Sequence, residues 1–103
     1  NVELMDGVKD VNVYNKIFEA VEKVPGASNP HRVRSRMIGN RYIITLDIEV
    51  NPHITITQAH EIAGAVEKSI EDSIDNVYDI LVHVEPAGEC QTDEKFGVNK
   101  GMV

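Results

Sequence analysis

The stretch HRVRSRMIGNRYIITLDIEV, from His31 to Val50, reads as a β-hairpin, and the rest of the chain arranges itself around it. Gly39-Asn40 is a two-residue turn signal between two extended runs. With that turn, Met37 faces Tyr42, Ser35 faces Ile44 and Val33 faces Leu46, which gives one apolar face. Arg36 then faces Ile43, Arg34 faces Thr45 and Arg32 faces Asp47, which gives a polar one. A sheet divided in this way is covered on a single side.

The covering layer is readable on either flank. Before the hairpin, Tyr14, Ile17, Phe18, Val21 and Val24 recur at helical spacing, and Pro25-Gly26 stops the helix. After Asn51-Pro52, Thr55 or Thr57 can cap a second helix with a stripe of Ala59, Ile62, Ala63, Val66, Ile70 and Ile74. Asp75-Asn76 ends it, and Val77 to Val84 reads as a third strand. The expected fold is α+β and ferredoxin-like, in the order αββαβ: two helices on one face of a three-stranded sheet, without the usual first strand.

Composition narrows the function. A chain of 103 residues makes one domain, and its net charge of -7 argues against nucleic acid and against anionic membrane surfaces. Cys90 is the single cysteine, so an internal disulfide and a zinc ribbon are both excluded. There is no run of the roughly 20 apolar residues that a membrane helix needs. No glycine-rich phosphate loop or nucleophile elbow is present, and Ser28, Ser35, Ser69 and Ser73 have no base at fixed spacing. The expectation is a domain that is not an enzyme.

Four histidines remain: His31, His53, His60 and His83. His83 and Glu85 stand at i and i+2 on a strand, so both project to one face as a natural ligand pair for a divalent metal. Asp47 shares the polar sheet face. The same spacing also fits an ordinary surface histidine at a strand end. His60 falls at the rim of its helix's apolar stripe, His53 falls in a loop, and His31 has the core-facing parity of Val33 but directly follows Pro30. Arg32, Arg34 and Arg36 form a basic stripe, read either as cross-strand partners of Asp47 and nearby acids or as an anion or interface surface.

Three segments resemble a known family. Val24-Pro25-Gly26-Ala27 with His31-Arg32-Val33-Arg34, Thr57 to Ala63 with its Ala59-His60-Glu61, and Leu81-Val82-His83-Val84-Glu85-Pro86 resemble the cytoplasmic domain of cation diffusion facilitators, divalent-metal/proton antiporters. Leu4-Met5-Asp6 resembles the stretch just after the last membrane helix, and the likeness covers about residues 4–86. It implies a homodimeric, metallochaperone-like domain on the cytoplasmic side of a membrane, joined to its own transmembrane domain, that binds zinc at the dimer interface to regulate transport. The implied ligands are His31, His83 and Glu85, with His60 supplied across the interface. Asp47 stands where some members have histidine, and Glu85 where some have aspartate. The carboxylate at Asp47 makes the site more oxygen-rich and admits iron, cobalt or manganese beside zinc. Residues 1–10 are then expected as a linker from that membrane domain, 11–86 as the metal-sensing domain and 87–103 as a mobile tail. The alternative is a small-molecule-binding or purely dimerising αββαβ domain.

Overall fold

In a computed structural model, which describes residues 11–88, the order is α1 (Val11–Glu22), β1 (Ser28–Ile38), β2 (Arg41–Val50), α2 (Ile56–Ser73) and β3 (Val77–Pro86). The expected linker, and the expected tail from residue 89 on with Cys90, lie outside the described residues; at the tail's start Ala87 donates its N–H to the Val50 carbonyl. The strands form one sheet in the order β1-β2-β3, with β1 antiparallel and β3 parallel to β2. A parallel neighbour cannot be reached by a tight turn, and α2 makes the crossover.

Each element follows from its local sequence. Tyr14, Ile17, Phe18 and Val21 bury one stripe of α1. The chain then turns at Gly26, whose φ of 91° suits glycine. Gly39, at φ 61°, occupies the first central position of the hairpin turn, with Ile38 paired to Arg41. Of the two candidate caps for α2, Thr55 is the one used: its side chain accepts from the Gln58 N–H, and the Gln58 side chain accepts from the Thr55 N–H.

Both helices cover the same sheet face. Alternate residues of β2, namely Ile44, Leu46, Ile48 and Val50, join Tyr14, Ile17, Phe18, Val21, Val66 and Ile70 in one core. Two polar contacts pin the layers: the Ser69 hydroxyl donates to the Ala20 carbonyl between the helices, and the Ser35 N–H donates to the Tyr14 hydroxyl.

The hairpin register is as expected from Ile38 back to Arg34: Met37 pairs with Tyr42, Ser35 with Ile44, Arg36 with Ile43 and Arg34 with Thr45. Beyond Arg34 it changes. Asp47 is paired with His31 rather than Arg32, and Glu49 with Ser28. Two irregularities each insert one extra residue into β1, where Arg32 and Asn29 have φ of 49° and 47°. Because strand side chains alternate, one inserted residue moves everything beyond it to the other face. His31 therefore leaves the core-facing parity of Val33 and joins Asp47.

Gly26 gives a direct check on the chain path. A Cβ there would meet Ile62 Cδ1 at 2.9 Å, but that atom ends a flexible side chain, whereas the positive φ is fixed by the turn. Gly26→Ala should cost about 1–2 kcal/mol in denaturant unfolding, mainly through the backbone. Adding Ile62→Val, which removes Cδ1, should recover little of that loss.

Candidate metal centre

The sheet face opposite the helices gathers side chains from all three strands. Parallel pairing sets Asp47 beside His83 and Glu49 beside Glu85, and antiparallel pairing sets His31 beside Asp47. Three of these are withdrawn from water: His31 is 2%, Asp47 6% and Glu85 9% exposed. The His83 side chain, at 61%, opens to solvent.

Two groups of three are close enough to share an ion. In each of Asp47/His83/Glu85 and His31/Glu49/Glu85, one ligand atom per residue lies within 4.8 Å of the others. The spacings suit a small cation. Bonds near 2.0–2.1 Å in a tetrahedron put neighbouring ligand atoms about 3.3–3.4 Å apart. His83 Nδ1 lies 3.4 Å from Glu85 Oε2 and 3.6 Å from Asp47 Oδ1, and His31 Nε2 lies 3.1 Å from Glu85 Oε1.

The hydrogen bonding of His31 favours the same chemistry. Nδ1 lies 2.7 Å from the Asn29 carbonyl oxygen, which can only accept, so Nδ1 carries the proton. In the neutral ring Nε2 is the bare nitrogen, and it faces the Glu85 carboxylate. A lone pair against a carboxylate is repulsive unless a cation or a proton comes between them. Asp47 Oδ2 is buried and accepts no hydrogen bond among the described residues. Arg32 Nε approaches it to 2.8 Å, an ion pair outside hydrogen-bond geometry. A divalent cation therefore fits the donor set, with nitrogen and oxygen ligands of the kind zinc and its neighbours accept.

Of the expected ligands, His31, Asp47, His83 and Glu85 come together. His60 does not: it is exposed on α2 and belongs to neither group. His53 is exposed in the turn before α2. Glu49 was absent from the sequence-based set, although it stands at i+2 from Asp47 and so shares its face. The Asn29 side-chain amide donates to Glu49 Oε2 at 2.8 Å.

An αββαβ fold with a histidine–carboxylate cluster on its helix-free face has the donor set to hold a cation, and its relatives include proteins of metal handling. Residues 9–87 match the family model described as "Cation efflux protein, cytoplasmic domain", and the chain belongs to that family. It is 30% identical to Metal tolerance protein 2 of Oryza sativa subsp. japonica, over 81% of this chain and 21% of that protein. It is 35% identical to the magnetosome protein MamM of Magnetospirillum gryphiswaldense, over 80% and 26% respectively. The metal-bound C-terminal domain of the CzcD transporter from Thermotoga maritima superposes with a TM-score of 0.76 at 36% identity, covering 81% of this chain and 96% of that one. The chain thus spans only about a quarter or less of the length of these curated relatives. Among the described residues no helix is long and apolar enough to cross a membrane.

The two histidines of the cluster should separate when metal is chelated. His31→Ala opens a cavity and strands the Asn29 carbonyl, so it should lower unfolding free energy by about 2–4 kcal/mol. His83→Ala removes an exposed side chain and should change it by less than about 0.5 kcal/mol. Denaturant titration in the presence of chelator measures both.

Proposed function

We propose that the chain is the metal-sensing and dimerising part of a divalent-cation efflux transporter, a binding domain rather than an enzyme, and that zinc is its ligand. The observation that carries this reading is the Asp47/His83/Glu85 group, with its buried carboxylates and its solvent-facing histidine. Two oxygen ligands and one nitrogen leave room for a fourth donor. A donor arriving from outside would come past His83.

His60 is the candidate for that donor. It is exposed and stands apart from the cluster within one chain, so it would serve the site only from a second copy. Metal shared between two chains would couple binding to association. A cation would then shift the population toward the closed dimer, and the transporter would feel the change through residues 1–10. Residues 11–86 would form the sensing unit, with 87–103 as a tail that follows it. The oxygen-rich donor set also leaves iron, cobalt and manganese as competitors of zinc.

Zinc calorimetry and sedimentation on three variants test this. His83→Ala should weaken zinc binding by at least about tenfold, since it deletes the one nitrogen of the group. His53→Ala should leave affinity unchanged. His60→Ala should weaken both zinc affinity and zinc-dependent dimerisation. Wild-type zinc affinity with His83→Ala would overturn the site, and a chain that stays monomeric at high concentration with zinc would overturn the dimer. Binding of an amino acid and not of zinc would favour the small-molecule reading instead.

Acidification supplies a second measurement. Protons compete with metal for imidazole nitrogen, and an imidazolium cannot ligate. Zinc affinity should therefore fall as pH drops from 7 toward 5, the range in which histidines ordinarily protonate. A flat profile would show that carboxylates alone hold the metal.

A further inference from the structure

Asp47 already has a cation beside it, supplied by the chain. Arg32 Nε lies 2.8 Å from Asp47 Oδ2, with the Arg32 side chain 40% exposed and that of Asp47 8%. The guanidinium thus comes in from the solvent side and lies against a buried carboxylate. The contact is an ion pair outside hydrogen-bond geometry, held by charge more than by a directed bond.

The backbone makes the arrangement possible. In an unbroken register Arg32 would stand directly opposite Asp47. Instead His31 takes that place and Arg32 becomes the extra residue, at φ 49°. Positive φ is uncommon for a residue of this size and is retained only where its surroundings hold it. The result is that imidazole and guanidinium both reach one carboxylate. Oδ2 faces Arg32 and, at 3.8 Å, His31 Nε2, while Oδ1 faces His83.

Resting on the metal-site reading above, we propose that Arg32 is a built-in competitor for the cation. In the metal-free protein it neutralises Asp47 and leaves only Oδ1 open toward His83. An arriving divalent ion meets a fixed positive charge and a carboxylate already half engaged. Full use of Asp47 requires the guanidinium to withdraw, which its long, partly exposed side chain permits. Arg32 therefore lowers affinity and raises the metal concentration at which the domain responds.

The test compares zinc dissociation constants by calorimetry for the purified chain and its Arg32 variants, with folding checked by circular dichroism. Arg32→Asn removes the charge and keeps a residue that tolerates positive φ. It should bind zinc about three- to tenfold more tightly than wild type, the scale of a partly exposed ion pair. Arg32→Gly, which fits the same φ without strain, should do likewise if the Asn variant folds poorly. Arg32→Lys should stay near wild type. In an Asp47→Asn background, Arg32→Asn should no longer tighten binding, an outcome that a purely structural role would not produce. Unchanged or weaker binding by Arg32→Asn and Arg32→Gly, with wild type still binding zinc, overturns the competitor and leaves the metal site standing. No zinc binding by any of these proteins overturns both.

Discussion

The parallel pairing of β2 with β3 is the constraint on which the site depends. It places Asp47 beside His83 and Glu49 beside Glu85 without any loop to position them. Side chains on adjacent strands at one level are held by the ladder itself, and strands hold functional groups more accurately than loops do. The other face of β2 is the centre of the core, where Ile44, Leu46 and Ile48 are fully enclosed. One strand thus anchors the fold on its even residues and the candidate ligands on its odd ones. A slip of one residue in β2 would bury Asp47 in the core and expose the isoleucines, so stability and function select the same register.

Much of this was legible in the sequence because it depends only on alternation. Gly39-Asn40 set the hairpin, and from there parity assigned Asp47, His83 and Glu85 to the polar face. The helix stripes identified the covering layer, and Thr55 was one of two caps named for α2. Parity failed at β1, where it sent His31 toward the core. The reason is the residue inserted at Arg32, between His31 and the turn; a second insertion, at Asn29, lies beyond His31. Neither is glycine; Asn29 is of a type that tolerates the left-handed region, but Arg32 gives no such signal in a run that otherwise reads as plain strand. Arg32 nevertheless reaches Asp47, the partner that the unbroken register assigned to it, through its side chain rather than by standing opposite.

Other features lay beyond what spacing can tell. Glu49 carried a usable signal, two residues from Asp47 on the same face, yet only the pairing with Glu85 brings it into a group. His60 shows the reverse: motif resemblance marks it, while the fold of one chain leaves it apart. The capacity of the His31 ring to ligate through Nε2 rests on the Asn29 carbonyl two residues away. No residue pattern encodes that contact, which is made at a residue of positive φ.

The contact between His31 Nε2 and Glu85 Oε1, which a shared cation or proton makes attractive, joins residues 54 apart in sequence. It also passes over the central strand, since β1 and β3 are not neighbours in the sheet. A contact of that span closes a long loop, and the entropic cost of closure is met when the chain folds. The first and last strands are thereby stapled across β2, just where the Ala87 N–H donates to the Val50 carbonyl. Fraying of the end of β3 must break this staple as well as its own ladder. Local opening at the C-terminal edge is therefore tied to the state of a side chain at the far side of the sheet, and slow amide exchange there would register events at His31.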